Sequence, residues 1–247
     1  MRFRGIVSYN GTKYAGWQIQ PSFHTVQHVI QKILSTMHQR SIVIYGSGRT
    51  DAGVHAIGQV FHFDSDMNLD GEGWMRALNA QLPNDIRIRN VEATTPDFHA
   101  RYSAIGKRYD YLVNTGLYDP FRYTLVHQVN QPLDLPLMRE AASLLVGTHD
   151  FTSFCANTIE ETPNQIRELR RLEIVEEGET IRFILEGDGF LRYMVRMLVG
   201  NLLEVGLHKM NVESLKDILN AKDKLATSKI APPCGLYLVR VYYRDLP

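Results

Sequence analysis

The sequence predicts an α+β fold: two lobes, each a mainly antiparallel sheet flanked by helices. Stretches of strand-type alternation are interleaved with stretches of helical periodicity, which rules out an all-α or all-β chain. Hairpin signals recur, at Asn10-Gly11 and at Glu177-Gly178-Glu179, and hairpins make antiparallel neighbours. Both halves carry strand, helix and hairpin material of similar extent, so the predicted boundary is near residue 105, giving domains 1–105 and 106–247. The 247 residues suffice for two domains of about 100–150 residues, each with its own core.

In chain order, Arg2–Tyr9 reads as a strand ended by the Asn-Gly turn. Thr25 is placed to cap a helix running to about Arg40, because Val26, Val29, Ile30, Ile33, Leu34 and Met37 recur at spacings of three and four. Ser41–Tyr45 is β-rich and short, hence a predicted strand, and Gln59–Phe63 is another after a glycine-rich loop. Trp74, Ala77 and Leu78 predict a short helix, and Asp85–Val91 alternates as a strand. Arg101–Asn114 predicts a long strand or a bent pair. Leu137–Val146 is helical with Gly147 as its stop, and Arg167–Glu176 and Thr180–Asp188 flank a hairpin turn. Phe190–Val205 is the strongest later helix, closed by Gly206; a smaller one near Val212–Asn220 precedes a last strand at Leu236–Tyr243.

Composition removes several function classes. No stretch reaches the ~18 consecutive apolar residues of a membrane span, and the first residues lack an apolar signal core. The expected location is the cytoplasm. Cys155 and Cys234 stand far apart, outside any C-x-x-C pair, so reduced thiols and no metal are expected. The 27 basic and 27 acidic residues balance, which counts against attachment to nucleic acid by bulk charge, though not against a local basic groove.

The segment Gly46–Gly58 is chemically the richest, with four glycines that permit tight turns and close approach of another molecule. Within it Arg49 and Asp51 lie two residues apart, bracketed by Ser47 and Thr50. An aspartate near an arginine and held by backbone N–H groups stays ionised, which suits a nucleophile or a general base. An Asx turn closing a hairpin fits the same spacing. Asp51, His55, His62 and Asp64 match no standard metal spacing.

Two further patterns stand out. The helix predicted at Phe190–Val205 is apolar around most of its circumference, yet Arg192 and Arg196 fall four apart on one face. A guanidinium there requires an anionic partner, either a protein carboxylate or a phosphate. In Lys107-Arg108-Tyr109-Asp110-Tyr111, strand alternation puts Lys107, Tyr109 and Tyr111 on one face. Aromatics on a basic strand fit a base-stacking platform, and they equally fit half-buried core tyrosines.

Three segments together, GRTDAGVHAIGQVFHF (Gly48–Phe63), KRYDY (Lys107–Tyr111) and GFLRYMVRMLVGNLLEVG (Gly189–Gly206), resemble the tRNA pseudouridine synthase A family in order and spacing. YNGTKYAGWQ, NAQLPNDI, DFHARYSA, HDFTSF and GLYLVRVYY extend the resemblance over nearly the whole chain. It implies isomerisation of uridines 38, 39 and 40 in the anticodon stem-loop of tRNA to pseudouridine, by a homodimer needing no cofactor. The implied fold is a pair of α+β lobes meeting over a central RNA-binding cleft. Position by position, it implies Asp51 as the catalytic nucleophile, Tyr109 as the aromatic packed on the target base, and Arg196 as the partner of the catalytic carboxylate. Arg49 matches an arginine tied to base eversion and RNA contact. Attack on the sugar, attack on the base and removal of a sugar proton all remain open as the first step. Arg192 falls where the family varies and receives no role. Two other classes compete: a non-catalytic RNA-binding module, and a carboxylate hydrolase that requires a second acid near Asp51, for which Asp64 and Asp110 are the candidates.

Overall fold

In the computed structural model, which describes residues 1–244, the elements run β1 (Arg2–Tyr9), α1 (Val26–His38), β2 (Tyr45–Gly46), β3 (His55–Asp64), α2 (Gly71–Asn79), β4 (Ile86–Thr94), β5 (Ala104–Asn114), β6 (His127–Gln128), α3 (Leu135–Ser143), β7 (Gly147–Asp150), β8 (Ile166–Glu177), β9 (Thr180–Gly187), α4 (Met194–Gly206), α5 (Val212–Ala221) and β10 (Leu236–Tyr243). The architecture is α+β with mostly antiparallel pairing. The chain divides into two compact units, Met1–Ile105 with the segment beginning at Tyr237, and Gly106–Leu236.

In the first unit β1 pairs antiparallel with both β3 and β4, β2 pairs with β3, and β10 lies parallel to β3 through Tyr237 and Leu238. Helices α1 and α2 start where side chains accept orphan N–H groups, Thr25 from His28 and Asp70 from Gly73. The core is aromatic: Phe3 stacks on Phe63 at 5.5 Å and Trp74 meets Phe63 edge-on at 5.1 Å, all three essentially inaccessible. Gly5 lies under the Phe61 ring, where a Cβ would come within 2.5 Å.

The second unit is an antiparallel β5-β9-β8-β7 ladder, with β6 parallel to β5. Asp134 caps α3 through Leu137 N–H and Asn211 caps α5 through Ser214 N–H. Met138, Phe151, Phe154, Phe183, Leu198 and Leu202 are fully buried among these elements.

Several elements differ from the sequence reading. Residues 41–44 are not a strand; only Tyr45 and Gly46 pair with β3. Their backbone is taken by side chains of α1 instead: Ile42 N–H donates to Ser35 Oγ, Ile44 N–H to Gln31 Oε1, and Gln27 Nε2 donates to Ile44 O. Strand β3 starts at His55 rather than Gln59. Helix α3 ends at Ser143, and Gly147, at φ 117°, opens the short strand β7 rather than merely stopping a helix. Most consequentially, α4 begins at Met194, not Phe190. Arg192 is held outside the helix because its N–H donates to Asn157 Oδ1 and its carbonyl accepts from Ala156 N–H, after which Tyr193 turns left-handed at φ 65°. Arg192 and Arg196 therefore do not share a helical face.

A stability prediction arises at β3. His62 is 2% exposed, and its Nδ1 accepts the Ala100 N–H at 3.1 Å. Burial first, then the charge of His99 and Arg2, pushes its pKa down to about 4. An unfolded histidine titrates near ~6.5, so the unfolded chain binds this proton first. The stability conferred by neutral His62 is complete above pH ~6.5 and is lost as pH falls toward 4, by about 3 kcal/mol in all. In His62→Gln, the melting temperature should fall less steeply over that window than in the wild type; parallel curves would refute the assignment.

Candidate active site

Between β2 and β3 the chain passes through Ser47–Val54, and this loop is tied down from several sides within the first unit. Ser47 Oγ donates to Gln59 Oε1 at 2.6 Å, and Gln59 Nε2 donates to Gly48 O at 2.9 Å, so one buried amide spans both sides of the loop's entry. Tyr9 and Thr50 share a hydroxyl–hydroxyl bond of 2.8 Å. Burial pushes the Tyr9 hydroxyl's pKa up, so it stays a neutral partner. Trp17 N–H donates to Thr50 O, Gly53 N–H to Tyr14 O, and Val54 N–H to Asp51 O.

Two glycines make this possible. Gly16 has φ +86° and sits where a Cβ would be 2.3 Å from Thr50 O; Gly46 lies against the Trp17 indole, 2.3 Å from Nε1 by the same measure. Gly16→Ala is expected to destabilise the chain by about 2–4 kcal/mol, from the left-handed φ and the backbone collision together. A denaturant midpoint close to wild type would show that the Tyr14–Trp17 turn does not press on the loop.

On this frame Ser47 and Thr50 point inward and are buried, Arg49 is exposed, and Asp51 is partly exposed. Burial along the clamped loop thus separates the two polar supports from the two charged residues.

The neighbouring polar groups have settled local roles. His55 Nδ1 accepts the Gly11 N–H at 3.0 Å, and His62 serves Ala100. Asp64 is gripped by Arg2 through two bonds of 2.9 and 2.8 Å, which lower its pKa. Among the described residues no group of three or more His, Cys, Asp or Glu is placed to hold a metal ion. Cys155 and Cys234 are free thiols, both with pKa pushed up by burial.

The other predicted residues lie in the second unit. Tyr109, on β5, is 7% exposed and meets Phe190 edge-to-face at 5.2 Å. Tyr111 is inaccessible and donates its hydroxyl to Pro232 O, so it is a core tyrosine. Asp110 takes Arg108 in a fork of 2.8 and 3.0 Å and Arg182 at 3.1 Å. Arg196, in the first turn of α4, donates Nε to Ala231 O at 2.8 Å, and its guanidinium lies 4.9 Å from the centre of the Tyr193 ring. Arg192 instead donates to Ala156 O and pairs with Glu161 at 3.7 Å on the surface.

The sequence reading missed Gln59, Tyr9 and Tyr14–Trp17 as supports of the loop. Only an isolated Gln eleven residues past Gly48 hinted at the first, and nothing local hinted at the others.

Such a loop, a charged pair presented on a braced α+β scaffold, fits an enzyme that works with its own side chains. Residues 6–103 and 141–244 match the family model described as tRNA pseudouridine synthase. A tRNA pseudouridine synthase A of Geobacillus kaustophilus (strain HTA426) is 46% identical, covering 99% of this chain and 95% of the relative. Those of Geobacillus sp. (strain WCH70) and Bacillus subtilis (strain 168) are 43% and 42% identical, each over 98% of this chain and 98% and 99% of their own length. The chain belongs to the tRNA pseudouridine synthase family and is a pseudouridine synthase, an isomerase.

Proposed function

We propose that the chain converts uridines 38, 39 and 40 of the tRNA anticodon stem-loop to pseudouridine, with Asp51 as nucleophile. The carrying observation is the clamped loop: Arg49 is exposed and Asp51 partly exposed on it, while Ser47, Thr50 and Gln59 hold its backbone. Supporting it are relatives named tRNA pseudouridine synthase A that align over nearly their whole length.

The reaction breaks N1–C1′, turns the uracil and joins C5 to C1′, with a proton exchanged from C5 to N1. It is redox-neutral and balanced within the nucleoside, so side chains suffice. In this reading the base leaves its stack at a cost of a few kcal/mol, and Arg49 assists that eversion. Tyr109 packs on the uracil and Arg196 pairs with Asp51, its cation offsetting the phosphate field of the RNA. The enzyme works in this reading as a cytoplasmic homodimer. Commitment of Asp64 to Arg2, and of Asp110 to Arg108 and Arg182, weighs against a two-carboxylate hydrolase.

The test is incubation with unmodified tRNA transcript followed by pseudouridine-specific chemical labelling and primer extension. Stops mapping to positions 38–40 are expected, with no uracil released. Labelling elsewhere only would overturn the site assignment, and free uracil would overturn the isomerase chemistry.

A further inference from the structure

The first unit carries a second aromatic cluster that the chemistry at Asp51 leaves unused. Tyr45 stacks on His62 at 5.1 Å and 16°, leans on His99 at 5.6 Å, and His99 in turn lies 4.4 Å from Tyr102. These four rings form one continuous run that ends in solvent: Tyr45 is 50% exposed and Tyr102 77%. The mount is stiff. His99 Nδ1 accepts the N–H groups of both Arg101 and Tyr102, and Ser103 Oγ accepts the His99 N–H. Because Nδ1 of His99 and of His62 each accept a backbone N–H, both rings carry their proton on Nε2 and the run is uncharged. Its edge is cationic: the Arg101 guanidinium lies 5.7 Å from the Tyr102 ring centre, and among the described residues no carboxylate pairs with it.

An exposed tyrosine gains little by being held rigid in water, since ordering it costs side-chain entropy. A fixed π-face beside a guanidinium matches a nucleobase and its adjoining phosphate, where stack and charge act together. An apolar protein surface would satisfy the rings and strand the arginine. Tyr45 also opens the two-residue strand that leads directly into the Asp51 loop. We propose that Tyr102, backed by His99 and Tyr45, is a stacking platform for an unpaired nucleobase of the substrate RNA other than the target uridine, with Arg101 on that nucleotide's phosphate. This rests on the RNA-modifying reading above.

The decisive experiment measures KM and kcat for unmodified tRNA in Tyr102→Ala, Tyr102→Phe and Tyr102→Leu, with melting temperatures as a folding control. Loss of the ring should raise KM about tenfold in the Ala and Leu variants while kcat falls far less, and Phe should restore binding to within about twofold. Tyr102→Trp should show emission quenched on adding tRNA, since Trp17 and Trp74 are buried. Wild-type KM in Tyr102→Ala, equal losses in Ala and Phe, or an indole in Tyr102→Trp that does not respond to tRNA would each overturn the platform. A change of oligomeric state without a change in tRNA binding would overturn it too, in favour of a second copy of the chain. A wild-type protein that makes no pseudouridine would instead sink the functional reading, so the two failures are told apart.

Discussion

Asp51→Asn is expected to abolish pseudouridine formation, lowering single-turnover rate by more than about a thousandfold, while tRNA affinity changes only a few-fold. The amide is nearly isosteric, and the loop has several ties that do not involve the carboxylate. Thr50 O is fixed by Trp17 N–H, Val54 N–H binds the main-chain carbonyl of Asp51, and Gln59 braces Gly48. The backbone should keep its course when the charge is removed, so a rate defect can be read as chemistry rather than unfolding. Quantified labelling in single-turnover experiments, beside a tRNA filter-binding curve, separates the two. Residual activity within about tenfold of wild type would take the nucleophile's role away from this residue.

Arg196 should give the second largest effect. Arg196→Leu is expected to cost at least about a hundredfold in kcat/KM, and Arg196→Lys about tenfold, because an ammonium keeps the charge and loses the planar fork. The structure adds a second consequence. Nε already bonds Ala231 O, and the guanidinium lies over Tyr193, so Leu leaves a carbonyl without its donor, at about 1–3 kcal/mol. Melting temperature therefore has to be measured beside activity. If Lys and Leu lose equal stability but differ in rate, the charge acts in catalysis. If all three proteins are equally active, the pairing with Asp51 is refuted.

Much of the fold was legible in the sequence where a local rule decides the outcome. Thr25 reads as a cap because a hydroxyl one residue ahead of an apolar periodicity has a donor waiting for it, and it caps α1. The Glu177-Gly178-Glu179 signal forms its hairpin because Gly178 tolerates φ 63°. Asp51 and Arg49 stood out because four glycines around two charges are rare in a core and useful in a loop. Misreadings occurred where a distant partner decides. Phe190–Leu191 keeps helical hydrophobicity, yet Asn157 and Ala156 capture the Arg192 backbone and postpone α4 to Met194. Likewise, nothing within residues 46–58 reports that Gly16 will press on Thr50.

Residues Ser41–Tyr45 also carry a hazard. The run SIVIY is β-prone, uncharged and free of proline, the composition of a segment that recruits its own copies into cross-β stacks. Here both N–H and C=O of Ile44, and the N–H of Ile42, are already spoken for by glutamine and serine side chains from a helix. A docking strand finds those ladder positions occupied. The same polar residues that look misplaced on the inner side of α1 therefore act as a guard against aggregation, and trading Gln27 or Gln31 for an aliphatic residue would remove that guard even if the fold survived.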